Sequence, residues 1–138
     1  MLFRSRPRPA TPCPPPRVIV LADTSVWVDL WRHGNTRLAG FLQQNRVVVH
    51  PFVLGEIALG RIAPRADVLR NLEALDSSRV AEHAEVLALI DRVPLWGRGI
   101  GWVDAHLLAS ALLDRLRLWT LDRRLALSAR DLDVALPA

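Results

Sequence analysis

Val18-Ile19-Val20-Leu21-Ala22-Asp23-Thr24-Ser25 is the stretch on which the fold turns. Five apolar residues, three of them β-branched, run into a carboxylate and two hydroxyl side chains. A short continuous apolar run reads as a buried strand. Asp, Thr and Ser favour the start of a helix, where a side-chain oxygen can take an unpaired backbone N–H. The stretch therefore predicts a strand that turns straight into a helix. In open parallel α/β sheets, ligands bind beyond the carboxyl ends of the strands, which is where Asp23 falls. Asp23 reads either as a helix cap or as a ligand, and this stretch alone favours neither.

Downstream, Val26, Trp27, Leu30 and Trp31 recur at helical spacing, so Thr24–Trp31 is predicted as a helix, stopped by His33-Gly34-Asn35. Thr36–Gln44 reads as a second helix and Arg46–His50 as a second strand. Pro51 opens the next helix at the one position where proline is tolerated; that helix carries Glu56. Further helices are predicted from Pro64 through Leu75, over 82–93 and over 102–113, the last apolar enough to be buried. Val80 marks a short strand. Arg117–Leu121 is a strand that ends at Asp122, followed by a helix over 123–130 and a last strand over 133–136. Alternating strands and helices imply an α/β sandwich around a parallel sheet.

The chain has 138 residues, the size of one domain. All 18 basic residues are Arg. Residues 1–17 hold Arg4, Arg6, Arg8, Arg17 and six prolines but no acid, and read as a disordered or polyproline arm. A native start near Val18 is the other reading of that segment. The body, 18–138, has 14 Arg against 14 acids, so the high pI belongs to the arm and argues weakly for a nucleic-acid surface. Cys13 is the only cysteine, which excludes an internal disulfide and fits a cytoplasmic location. The four histidines have no zinc-ligand spacing, and no apolar run is long enough to cross a membrane.

Two strands end alike, in Asp23 and Asp122. Asp104 lies near the start of the buried helix, and Glu56 within an apolar one. None of these four has an Arg three or four residues away, whereas seven of the other ten acids do. A carboxylate among apolar neighbours must find a partner or raise its pKa. Several carboxylates brought together repel unless a cation sits among them. Oxygen ligands without His or Cys point to magnesium or manganese, and hence to metal-assisted phosphodiester hydrolysis. Helix capping remains the alternative for each Asp.

Four segments carry a family resemblance. They are Leu21-Ala22-Asp23-Thr24-Ser25-Val26-Trp27, Pro51-Phe52-Val53-Leu54-Gly55-Glu56, the run from Gly99 through Asp104 to Ser110, and Leu118-Trp119-Thr120-Leu121-Asp122-Arg123-Arg124-Leu125. In order and spacing they resemble PIN-domain ribonucleases, and among these the VapC toxins of type II VapBC toxin–antitoxin modules. The resemblance spans residue 18 to about 136 and places the PIN domain over 18–138. It implies a PIN-like α/β/α sandwich and an endoribonuclease site of Asp23, Glu56, Asp104 and Asp122. Asp23 and Asp104 would hold Mg2+ (or Mn2+) directly, with Thr120 in support. It further implies an RNA substrate, a cognate VapB-type antitoxin and a homodimer within a toxin–antitoxin assembly. The proline- and arginine-rich arm departs from the family pattern.

Gly97, Gly99 and Gly101 follow a helix, not a strand, so they are no dinucleotide fingerprint; they read as backbone freedom that brings Asp104 into place. Trp27 and Trp31 read as core or interface packing, with RNA stacking as the alternative. Arg123 and Arg124 are either phosphate contacts or a solvated helix face. His106 reads as structural. A receiver or a haloacid-dehalogenase-like phosphatase would also put acids at strand ends, but both need a lysine and this chain has none. A non-catalytic PIN-like protein-binding module, whose acids receive an Arg from a partner, remains open.

Overall fold

The computed structural model describes residues 17–138. The arm expected over 1–17 lies outside the described residues except for Arg17. The order of elements is β1 (Val20–Ala22), α1 (Thr24–His33), α2 (Thr36–Gln43), β2 (Val47–Val48), α3 (Pro51–Leu59), α4 (Arg65–Glu73), α5 (His83–Arg92), α6 (Trp102–Asp114), β3 (Arg117–Trp119) and α7 (Arg123–Asp131). The three strands form one parallel sheet in the order β2-β1-β3. Helices pack around it to give the expected α/β/α sandwich.

The buried apolar strands are what a parallel sheet covered on both faces requires. Val20, Leu21 and Ala22 are all fully buried. The register pairs Val20 with both Val47 and Arg117, and Ala22 with Trp119. Single parallel bridges extend the sheet on either side, at Val49–Ser77 and Leu118–Ala135. The strand expected around Val80 is thus a single bridge made three residues earlier, and Val80 itself is exposed. The pairing there is made by backbone: Val49 N–H donates to Asp76 O and Ser78 N–H donates to Val49 O. The strand expected over 133–136 likewise shrinks to one bridge, because only Leu118 faces it.

Helix ends follow side-chain chemistry. Gly34, at φ +76°, terminates α1 two residues beyond Trp31. Asn35 caps α2 through Leu38 N–H at 2.9 Å. Pro64 precedes α4 as its cap instead of starting it, and α4 ends at Glu73, not Leu75. Helix α6 is the buried one: Ala105 through Ala111 form an unbroken buried run. The core joins Leu21, Val26, Trp27 and Leu38 to Val53, Leu107, Leu108, Leu118 and Leu125. Trp27 stacks on Trp31 with 6.0 Å between ring centroids, the packing role expected of the pair. Among the described residues no helix is long and apolar enough to cross a membrane.

Candidate active site

Because β1 and β3 run parallel with Ala22 opposite Trp119, the next residues of both strands emerge together. Asp23 N–H still donates to Trp119 O at 3.0 Å. One residue on, Thr120 Oγ1 donates to Asp23 Oδ2 at 2.5 Å and accepts from Asp122 N–H at 3.0 Å. Ser25 Oγ donates to the other oxygen of Asp23 and accepts from Leu121 N–H at 3.0 Å. Asp23 Oδ1 also takes Val26 N–H at 3.3 Å, so it does cap α1. Both of its oxygens are held, and the residue is only 7% exposed. Burial pushes its carboxyl above the usual range, opposed by the Ser25, Thr120 and Val26 hydrogen bonds and reinforced by the charge of Asp104.

Asp104 lies in the first turn of α6 and takes the Gly101 N–H at 3.1 Å. Burial raises its pKa, and the charges of Asp122 and Glu56 raise it further. Asp104 is thus coupled electrostatically to the other three acids: its charge raises the pKa of Asp23, and those of Asp122 and Glu56 raise its own. Asp122 is exposed and caps α7, accepting from Arg124 and Leu125 N–H at 2.8 and 3.2 Å.

Glu56 departs from its expected surroundings. Val53 and Ile57 turn inward, but Gly55, Glu56 and Leu59 face outward, so an apolar helix is only half covered. Glu56 is exposed, and its partner is the Thr24 hydroxyl, which donates at 2.7 Å. The cost of burying a charge applies to Asp23 and Asp104, not to Glu56. Thr24 and Ser25, expected only to start a helix, donate their hydroxyls to Glu56 and Asp23. The signal was present: two hydroxyls next to a strand-end acid have more than one backbone amide to serve.

Among the described residues, no salt bridge engages any of these four acids. The five ion pairs among the described residues engage Asp29, Asp67, Asp114, Asp131 and Asp133. Arg123 and Arg124 are exposed at the start of α7, and Arg124 lies across Gly99. No three His, Cys, Asp or Glu side chains among the described residues stand ready-made as a metal cage. An all-oxygen donor set, partly buried, mutually repelling and in no salt bridge among the described residues, fits a hard divalent cation.

Behind the acids, His50 ties the layers together. Its Nδ1 accepts from Phe52 N–H at 2.9 Å, capping α3, and its Nε2 lies 3.1 Å from Ser110 Oγ on α6. Ser110 in turn donates to Arg79 O. Burial, then the neighbouring His106, lowers the His50 pKa to about 4. His106 is buried against Phe52 and Trp102, the structural role expected of it. Gly97 and Gly99 have φ of +75° and +76°, as their expected freedom requires, but Gly101 does not. Its φ is −94°, and its service to Asp104 is the N–H it donates.

A parallel sheet with acids at one carboxyl edge and α-helices on both faces defines the class. The family model for the PIN domain matches residues 20–130, and the chain belongs to that family. It is 45% identical over 119 residues to Ribonuclease VapC32 of Mycobacterium tuberculosis, in strains CDC 1551 / Oshkosh and ATCC 25618 / H37Rv, covering 86% of this chain and 96% of the relative. Solved structures share the fold: PAE2754 from Pyrobaculum aerophilum has a TM-score of 0.55 at 20% identity, covering 80% of this chain and 78% of that one. FitAcB from Neisseria gonorrhoeae also gives 0.55, at 22% identity, covering 85% and 95%.

Proposed function

We propose that this chain is the toxin of a type II toxin–antitoxin pair, an endoribonuclease that hydrolyses RNA phosphodiester bonds with Mg2+ or Mn2+. Asp23 and Asp104 hold the ion, and Glu56 and Asp122 complete the site. The 45% identity to a protein named a ribonuclease supports the reaction class. What supports the site is the Thr120 hydroxyl that links Asp23 to Asp122 across the ends of β1 and β3, together with the charges of Asp122 and Glu56 acting on Asp104 and none of the four acids in a salt bridge among the described residues.

When bound, such an ion supplies Lewis-acid polarisation of the phosphodiester and lowers the pKa of water. The chain's own residues prepare for it. Thr120 and Ser25 hold both oxygens of Asp23, so the carboxylate is oriented before any substrate arrives. Thr24 anchors the exposed Glu56, leaving it open to solvent at the edge of the site. Asp122 holds one oxygen on the Arg124 and Leu125 amides of α7. The cognate antitoxin would cover this edge and place a cation among the acids; a homodimer and a cytoplasmic location belong to the same proposal.

Purified protein with Mg2+ is expected to cut RNA, and Asp104→Asn to lose the cutting by at least a hundredfold while keeping its fold by circular dichroism. Equal cleavage by both proteins would refute the nuclease site and favour a non-catalytic binding module. In cells, expression without the antitoxin is expected to arrest growth, and Glu56→Gln to relieve the arrest.

A further inference from the structure

The turn that leads into α6 leaves two indoles uncovered. Trp96 is 65% exposed and Trp102 39% exposed. Single apolar side chains on a surface are ordinary. These two, however, line one cleft of about 230 Å³, together with Ile100, Gly101 and Ala105. The cleft adjoins the acidic site directly, because the Gly101 N–H donates to Asp104 Oδ2. Trp102 is fixed from behind, with His83 at 4.9 Å and the edge of His106 at 4.8 Å between ring centroids.

We propose that this cleft takes an unpaired nucleobase of the RNA beside the bond that is cut, stacked on Trp96 and Trp102. The inference rests on the ribonuclease reading. Its physical motive is the charge of the site. The four carboxylates of the site repel a phosphate backbone, and residues 18–138 carry 14 Arg against 14 acids, so this part of the chain has no net positive charge to draw a strand in. Arg98, on the same turn, is already engaged by Asp131 at 2.7 Å and by the Val93 and Pro94 carbonyls. A contact that is indifferent to charge adds affinity next to the acids. Stacking of a base on an indole is one. Pockets that enclose a drug-sized ligand run from about 300 to 1,000 Å³, so this smaller cleft suits one ring system. A base in a duplex has both faces covered and cannot enter, which selects loops and single strands.

The test separates binding from cutting. A fluorescein-labelled pool of short single-stranded oligoribonucleotides of random sequence is titrated with protein in EDTA, then cleaved with Mg2+ in a second experiment. Trp96 is exposed enough that its replacement spares the fold. Trp96→Leu is expected to weaken binding of the pool about tenfold, the scale of one stacked base, while Trp96→Phe stays near wild type. In cleavage, Trp96→Leu raises KM and leaves kcat unchanged. The pool annealed to its complement is bound alike by wild type and Trp96→Leu. The inference is overturned if Trp96→Leu binds the single-stranded pool as wild type does, including the case in which it weakens only the hold of the antitoxin. Binding that depends on Trp96 without any cleavage supports the cleft and refutes the ribonuclease reading. A wild type that binds no RNA refutes both.

Discussion

Thr120→Val removes one hydroxyl from behind the site and keeps the shape of the side chain. In the structure that hydroxyl donates to Asp23 Oδ2 and accepts from Asp122 N–H. Asp23 is buried, and its hydrogen bonds are what oppose the upward pull of burial on its pKa. A hydrogen bond to a charged group is worth about 1.5–3 kcal/mol. Its loss therefore raises the Asp23 pKa further. The sign for stability follows. A folded-state pKa above the unfolded 3.8 means that the folded protein binds the extra proton. Stability is then lost as pH rises through that window, and Thr120→Val extends the window upward. For activity, the charged form of Asp23 is needed, so the acidic limb of the pH–rate profile is expected to move to higher pH. Near the limb the rate falls about 10- to 100-fold, as for other residues that orient a metal ligand. The assay is cleavage of a single-stranded RNA from pH 5 to 9 with saturating Mg2+. An acidic limb that stays in place would refute the coupling of Thr120 to Asp23, whatever the loss in rate.

Gly99→Ala places a Cβ 2.5 Å from the Arg124 guanidinium, on a backbone at φ +76°. The left-handed backbone alone is expected to cost about 1–2 kcal/mol in urea unfolding; adding Arg124→Ala should remove the clash and leave that part. His50 has a pKa lowered from 6.5 to about 4, so the unfolded chain gains a proton before the folded one does, and stability falls as pH drops from 6.5 towards 4. The full effect is about 3 kcal/mol at 1.36 kcal/mol per pH unit. His50→Asn keeps a capping side chain for α3 and is expected to be less stable at pH 7 yet to lose less between pH 7 and 4.5. Protons and a divalent ion compete for Asp23 and Asp104, whose pKa values burial raises. The rise in Tm caused by Mg2+ is therefore expected to grow with pH, and a rise equal at pH 5 and pH 8 would argue against these two as ligands.

How much was legible in the chain depended on the range of each interaction. The strand at Val20–Ala22, its turn at Asp23 and the apolar helix around Ala105–Ala111 follow from local pattern, because burial on both faces leaves a continuous apolar run. The weaker edges of the sheet did not follow. At Ser77 and Ala135 a single bridge is made by backbone atoms, which any residue supplies, so Val80 drew attention to the wrong place. Helix α3 also misled: its apolar residues suggested apolar surroundings for Glu56, yet Glu56 and Leu59 face outward. Composition reports what a helix could bury, not how much neighbouring surface exists to bury it against.

The residue types of the site were decided by the sequence alone. A carboxylate after an apolar strand, twice, and a third in the first turn of a buried helix are local facts, and they carry the chemistry of hard oxygen ligands. Their meeting was decided by the tertiary structure. Only the parallel register of β1 on β3 brings Thr120 to Asp23 across 97 positions of sequence. Only the packing of α3 and α6 brings the charges of Glu56 and Asp104 within reach of each other. The physical reason is that pairing and electrostatics act through space. Local sequence sets which groups a strand end offers, and the sheet sets which of them face one another.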